Sequence, residues 1–133
     1  MTGRVLIDTS VWIAYFQTHS PTGVLEKVDE LLSNGDIHVP KIVLAELIQG
    51  AHSEKDIAVI REFVEAFTIV GESPDTWLEA GRLSFTLKKK GKTINLSDCY
   101  IAILANEHRC SVLTLDKHFK EIQKETGIKL LSF

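Results

Sequence analysis

The chain has 133 residues, 44% hydrophobic and 25% charged, with 15 Lys and Arg against 18 Asp and Glu and a formal net charge of −3. That size fits one globular domain, residues 1–133, and the composition excludes a disordered chain, a collagen-like repeat and a coiled coil. The negative balance also excludes a protein that coats nucleic acid through bulk positive charge, so any such contact has to be local.

Short β-like runs alternate with helical patterns from end to end, predicting an α/β fold with a parallel sheet of four to five strands and helices on both faces. Arg4 to Ile7 reads as the first strand, and Thr9 to Gln17 as a helix apolar on every side. The charge-free stretch Thr9 to Leu25 is broken by Gln17, Thr18, His19, Ser20, Pro21 and Gly23, so it cannot span a membrane. Asp8 interrupts the N-terminal apolar run before it reaches the length of a signal-peptide core, which points to a cytoplasmic protein. Cys99 and Cys110 are then expected to be reduced thiols and small core residues.

Ser20-Pro21 supplies an N-cap and a first-turn proline for a second helix, with Val24, Leu25, Val28, Leu31 and Leu32 on one face and Gly35 at its end. Ile37 to Val39 is the second strand, and Pro40 opens an apolar helix running through Glu46 to Gly50. Ser53 with Asp56 resembles a capping box for a helix carrying Ile57, Ile60, Val64 and Phe67. Thr68 to Val70 is the third strand. Ser73-Pro74 then starts a helix that passes Trp77, Leu78 and Phe85, reaches Lys88, Lys89 and Lys90, and stops at Gly91. Ser97 to His108 is helical, Ser111 to Leu115 a strand, and a short helix and a last strand, Ile128 to Leu131, close the pattern.

Asp8 follows the first strand and Asp116 the fourth, and open α/β sheets bind ligands beyond the carboxyl ends of their strands. Each also stands where a helix-capping Asp is favoured, as does Asp98 beside Ser97. Glu46 lies inside an apolar run, where a carboxylate needs a basic partner, an exposed edge or a cation. Converging carboxylates repel one another unless a divalent cation is held between them, and all-oxygen ligation selects Mg²⁺ or Mn²⁺ rather than zinc. The five histidines, His19, His38, His52, His108 and His118, make no zinc spacing and read as surface residues. No GxGxxG, P-loop or GxSxG motif is present.

Four blocks stand in order: Asp8-Thr9-Ser10-Val11-Trp12-Ile13, Ala45-Glu46-Leu47, Ser97-Asp98-Cys99-Tyr100-Ile101-Ala102, and Thr114-Leu115-Asp116-Lys117-His118-Phe119. Together they resemble the PIN domain, most closely the VapC-type toxins of bacterial and archaeal toxin–antitoxin pairs, over nearly the whole chain. The resemblance implies a three-layer α/β/α domain and a metal-dependent endoribonuclease. Asp8, Glu46, Asp98 and Asp116 would form the acidic metal pocket, with Ser10 assisting through its hydroxyl, and cleavage would leave a 5′-phosphate and a 3′-hydroxyl. The chain departs from the fuller pattern after Asp116, where Lys117, His118 and Lys120 occupy positions that carry a further acid in some relatives.

Setting the four pocket acids aside from the 18 leaves 14 against 15 bases, so the remaining surface does not repel phosphate. Lys88, Lys89, Lys90 and Lys92, with Arg82, are the expected RNA-backbone contacts, although lysines at a helix C-terminus also complement its dipole. The apolar helix with Trp12, Tyr15 and Phe16 predicts a partner surface. By resemblance the partners are a second copy of the chain and a cognate antitoxin lying in an apolar groove. Two other readings stay open: a PIN-like interaction module whose acids only cap helices, and a metal-dependent nuclease acting on DNA.

Overall fold

Four aliphatic runs form strands: β1 (Arg4–Ile7), β2 (Asp36–Pro40), β3 (Thr68–Val70) and β4 (Ser111–Leu113). The computed structural model describes residues 3–17 and 23–133. In it the strands make one parallel sheet in the order β3-β2-β1-β4. Val5, Leu6, Ile7, Val39, Val112 and Leu113 are fully buried. The central strand β1 and its neighbour β4 are covered on both faces, which explains their continuous rather than alternating apolar pattern, whereas the edge strand β3 leaves Thr68 and Ile69 exposed.

The helices are α1 (Thr9–Phe16), α2 (Val24–Asn34), α3 (Lys41–Gln49), α4 (Glu54–Val64), α5 (Thr76–Lys89), α6 (Leu96–Glu107) and α7 (His118–Thr126). Right-handed crossovers from β1 to β2 and β2 to β3 put α1–α4 on one face, and the return from β3 to β4 puts α5 and α6 on the other. Packing agrees, with α1 against α2 and α3, α3 against α4, α5 against α6, and α6 against α7. The result is the expected three-layer α/β/α arrangement.

Helix ends follow local chemistry. Helix α2 ends at Gly35, where the chain turns extended with its N–H on Leu31 O, and a Cβ there would stand 2.8 Å from that oxygen. Ser53 Oγ accepts the Asp56 N–H at 3.1 Å and caps α4, whereas the Asp56 carboxylate takes the His52 rather than the Ser53 N–H, at 3.3 Å. At the end of α5, Gly91 adopts a left-handed φ of 80°. The Gly91 N–H then bonds Lys88 O and the Lys92 N–H bonds Leu87 O, both at 2.9 Å, satisfying two carbonyls of the last turn.

Several expectations are corrected. Leu25, expected on the buried face of α2, is 45% exposed. Ser20-Pro21 and His19 lie outside the described residues, and the N-cap of α2 is Gly23. Helix α5 begins at Thr76 rather than Pro74, because the Ser73 hydroxyl donates to Glu107 Oε2 (2.8 Å) and the Ser73 N–H donates to Thr76 Oγ1 (2.9 Å). Strand β4 stops at Leu113, since Thr114 turns its hydroxyl toward Asp8. The last strand contracts to one parallel bridge, Val112 to Leu130. His38 is not on the surface but 7% exposed, as befits a residue of a strand covered on both faces.

Helix α1 divides its apolar residues. Val11, Trp12 and Ala14 point inward, while Ile13 and Phe16 stay exposed. Trp12 stacks on Phe67 with centroids 5.8 Å apart and meets Phe63 edge-on at 5.5 Å. The Tyr15 hydroxyl donates to Asp29 Oδ1 at 2.9 Å, tying α1 to α2.

Candidate active site

The strand order reverses between β1 and β4, so the crevice beyond the carboxyl ends of those two strands is where an open parallel sheet places its ligand site. Asp8 follows β1, and its N–H donates to Leu113 O of β4 at 2.9 Å. The Asp8 side chain is 4% exposed and makes no capping bond to α1. Its Oδ2 instead accepts the Ser10 and Thr114 hydroxyls, each at 2.8 Å. Those hydroxyl oxygens in turn accept backbone N–H groups, Leu115 N to Ser10 Oγ and Asp116 N to Thr114 Oγ1, both at 3.0 Å. Two hydroxyls thus fix Asp8 and the loop after β4 against each other.

Glu46 sits on α3, half-buried, with its Oε1 accepting the Thr9 hydroxyl at 2.9 Å. Burial of α3 is narrower than its sequence suggests, since only Val43 and Leu47 are buried. Asp98 lies in the first turn of α6, but the N-cap there is Asn95. Asp98 is 8% exposed, and its buried Oδ2 has no hydrogen-bond partner. Burial, followed by the charges of Asp116 and Asp8 and then Glu46, pushes its carboxyl up to about 7. Asp116 is half-buried, and its Oδ1 accepts the His118 N–H at 2.9 Å. The His118 ring adds Nδ1 at 3.1 Å from that oxygen.

Three acids, Asp8 after β1, Glu46 of α3 and Asp116 of the β4–α7 loop, therefore place their charge on Asp98 of α6. Among the described residues no Lys or Arg pairs with any of them. A buried carboxylate oxygen without a donor, surrounded by three more acids, needs a proton or a cation. An oxygen-rich donor set of this kind fits a hard divalent ion. Ligand atoms of Asp98, Asp116 and His118 lie within 4.8 Å of one another.

The sequence reading assigned no role to Thr9, Thr114 or His118. Thr9 was readable only as a helix-starting residue, because its partner Glu46 is 37 positions away. Thr114 and His118 each flank Asp116 by two positions, a signal too common to single them out.

The basic candidates lie elsewhere, around the end of α5. Lys88, Lys89, Lys90 and Arg82 are exposed and Lys92 is half-buried. Lys90 Nζ stands 2.6 Å from Glu125 Oε2, Lys92 pairs with Glu121, and Lys89 Nζ sits 5.4 Å from the Phe85 ring centroid. Cys99 and Cys110 are buried, and burial pushes both thiols up to about 11, which keeps them protonated and unreactive. A separate apolar groove of about 430 Å³ runs between α1, α3 and α4, lined by Ile13, Phe16, Leu47, Val59 and Ile60 and reaching Glu46. Among the described residues no helix is long and apolar enough to cross a membrane.

A parallel α/β sheet with a cluster of acids at its switch point is the class that the fold and site define. The chain belongs to the PIN domain family, whose model matches residues 5–125. It is 31% identical to the ribonuclease VapC1 of Methanocaldococcus jannaschii, over 96% of this chain and 86% of that one. Against the ribonuclease VapC1 of Haemophilus influenzae strain R2866 the identity is 30%, over 93% of each chain. The structure of VapBC-1 from nontypeable Haemophilus influenzae superposes with a TM-score of 0.77 and 27% identity, over 97% of each chain.

Proposed function

We propose that this chain is a metal-dependent endoribonuclease, the toxin of a type II toxin–antitoxin pair, working in the cytoplasm. The observation that carries the reading is the buried, unpartnered Asp98 Oδ2 in a carboxyl that bears the charges of Asp116, Asp8 and Glu46. Kinship with proteins named ribonuclease VapC1 supports RNA as the substrate. Asp8, Glu46, Asp98 and Asp116 would hold Mg²⁺ or Mn²⁺, which supplies positive charge for the scissile phosphate and an acidified water for its hydrolysis.

The chain's own groups prepare that site. Ser10 and Thr114 hold Asp8 through one oxygen, and Thr9 holds Glu46 through one oxygen, so rotamers are fixed before the ion arrives. Lys88 and Lys89, joined by Lys90, Lys92 and Arg82, take the RNA backbone outside the pocket.

The groove beside α1 supports an antitoxin partner, since its apolar floor ends at Glu46 and a basic side chain from a bound segment would meet the acids there. Exposed Trp77, Leu78 and Phe85 on α5 offer apolar surface for a second copy.

Cleavage of RNA, with single-stranded DNA in parallel, tests the reading with Mg²⁺, with Mn²⁺ and with EDTA. RNA cleavage is expected with a divalent ion only, and the Asp8→Asn and Asp98→Asn variants should fall to the EDTA background. Equal residual activity in every sample would identify a contaminant and leave the interaction-module reading. Cleavage of DNA alone would move the substrate.

A further inference from the structure

His118 stands beside Asp98 and Asp116 in the acidic cluster. It opens α7, two positions after Asp116, and its backbone N–H donates to Asp116 Oδ1 at 2.9 Å. That bond is what a helix start requires, and any residue with an N–H supplies it. The imidazole is therefore not needed for the cap. It nonetheless lies over the same carboxylate, with Nδ1 3.1 Å from Oδ1.

Geometry brings the ring into the pocket. One ligand atom each from Asp98, Asp116 and His118 falls within 4.8 Å of the other two. Ligands at about 2.2 Å on opposite sides of an ion stand about 4.4 Å apart, so a small side-chain rotation lets all three share one cation. The ring is free to make it, being 55% exposed. A second, independent observation points to a cation here: Asp98 is 8% exposed and its Oδ2 meets no donor.

Charge favours a neutral ligand at this place. Four carboxylates already outweigh one divalent ion, and a further acid would add repulsion without relieving Asp98. An imidazole contributes a lone pair and no charge.

We propose that His118 is a nitrogen ligand of the pocket's cation and tilts this site toward Mn²⁺ over Mg²⁺. Mg²⁺ dehydrates reluctantly and favours oxygen, whereas first-row transition ions gain from imidazole. The proposal rests on the metal-dependent reading of the acidic pocket, and it assigns His118 to ion choice rather than to the cap of α7.

The test is Mn²⁺ titrated into the whole purified chain, with free Mn²⁺ followed by electron paramagnetic resonance and Mg²⁺ affinity read by competition. Pulsed resonance of the Mn²⁺-loaded wild type should show coupling to a nitrogen nucleus, a result that depends on no variant's folding. His118→Ala and His118→Gln should lose that coupling and bind Mn²⁺ roughly tenfold more weakly, with a smaller change for Mg²⁺. Mn²⁺ bound equally by wild type and variants, without nitrogen coupling, overturns the role of His118 while leaving the acidic cation site standing. No Mn²⁺ binding by the wild type, matching Asp98→Asn, overturns the metal reading together with it.

Discussion

Asp98 stands in the first turn of α6, 8% exposed, and it faces three other acids. Its carboxyl is pushed up to about 7 from an ordinary 3.8, first by burial and then by Asp116, Asp8 and Glu46. A group whose folded pKa is raised favours the native state fully below its unfolded pKa, and that contribution is lost as pH rises through the folded value. The cation-free protein should therefore lose thermal stability between about pH 4 and about pH 7. Asp98→Asn, which removes the charge and keeps the shape, should flatten that slope and melt higher than wild type at the alkaline end. Thermal unfolding in EDTA across this range checks it, and a wild-type midpoint that rises with pH would contradict the strain assigned to Asp98. A stabilised but inactive variant is the usual outcome when a site holds like charges together for function.

The basic stretch at the end of α5 looks uniform in sequence, and the structure divides it. Lys90 is engaged with Glu125 and Lys92 with Glu121 of α7, while Lys88 and Lys89 extend from an exposed helix end. Replacing Lys88 and Lys89 by Ala should weaken RNA binding and flatten its log–log salt dependence by about 0.7 per contacting lysine. Lys90→Ala should change that slope less, because its exposed pair with Glu125 adds little stability and competes for the charge. Binding measured over a salt series decides, and an unchanged slope in the double variant would reduce the cluster to a solvated helix end. The same division between pattern and partner explains what could be read beforehand. The order of strands and helices was legible, since Val5 to Ile7 and Val112 to Leu113 carry unbroken apolar runs, and Ile37 and Val39 flank one buried His38, between helix-start and helix-stop residues. Boundaries that depend on a distant contact were not. Strand β4 ends early because Thr114 reaches Asp8 across 106 positions, and α5 starts late because Ser73 reaches Glu107 across 34. The four acids and the Ser10 hydroxyl were singled out from motifs and strand ends, but the hydroxyls of Thr9 and Thr114 and the ring of His118 meet them through space, where spacing carries no information.

The acidic cluster and the apolar groove meet at Glu46, which lines the groove and adds its charge to that of Asp98. Helix α1 makes this possible by splitting its residues. Trp12 fills the core against Phe63 and Phe67, while Ile13 and Phe16 turn outward toward Val59 of α4. Ile13 is 48% and Val59 53% exposed, so placing a charge at either removes little from the core. A segment lying in the groove would bury these side chains and could extend a cation to the carboxylates, blocking the crevice without touching the sheet. Ile13→Asp with Val59→Asp should therefore retain RNA cleavage and metal binding while losing inhibition by a cognate antitoxin. Cleavage assayed with increasing amounts of that protein, beside size-exclusion chromatography of the mixture, reads both effects. If the double variant is inhibited and retained as a complex like the wild type, the groove is not where the antitoxin docks. If cleavage itself disappears while the fold persists, the groove acts on the acids through α1 and α3 rather than as a separate surface.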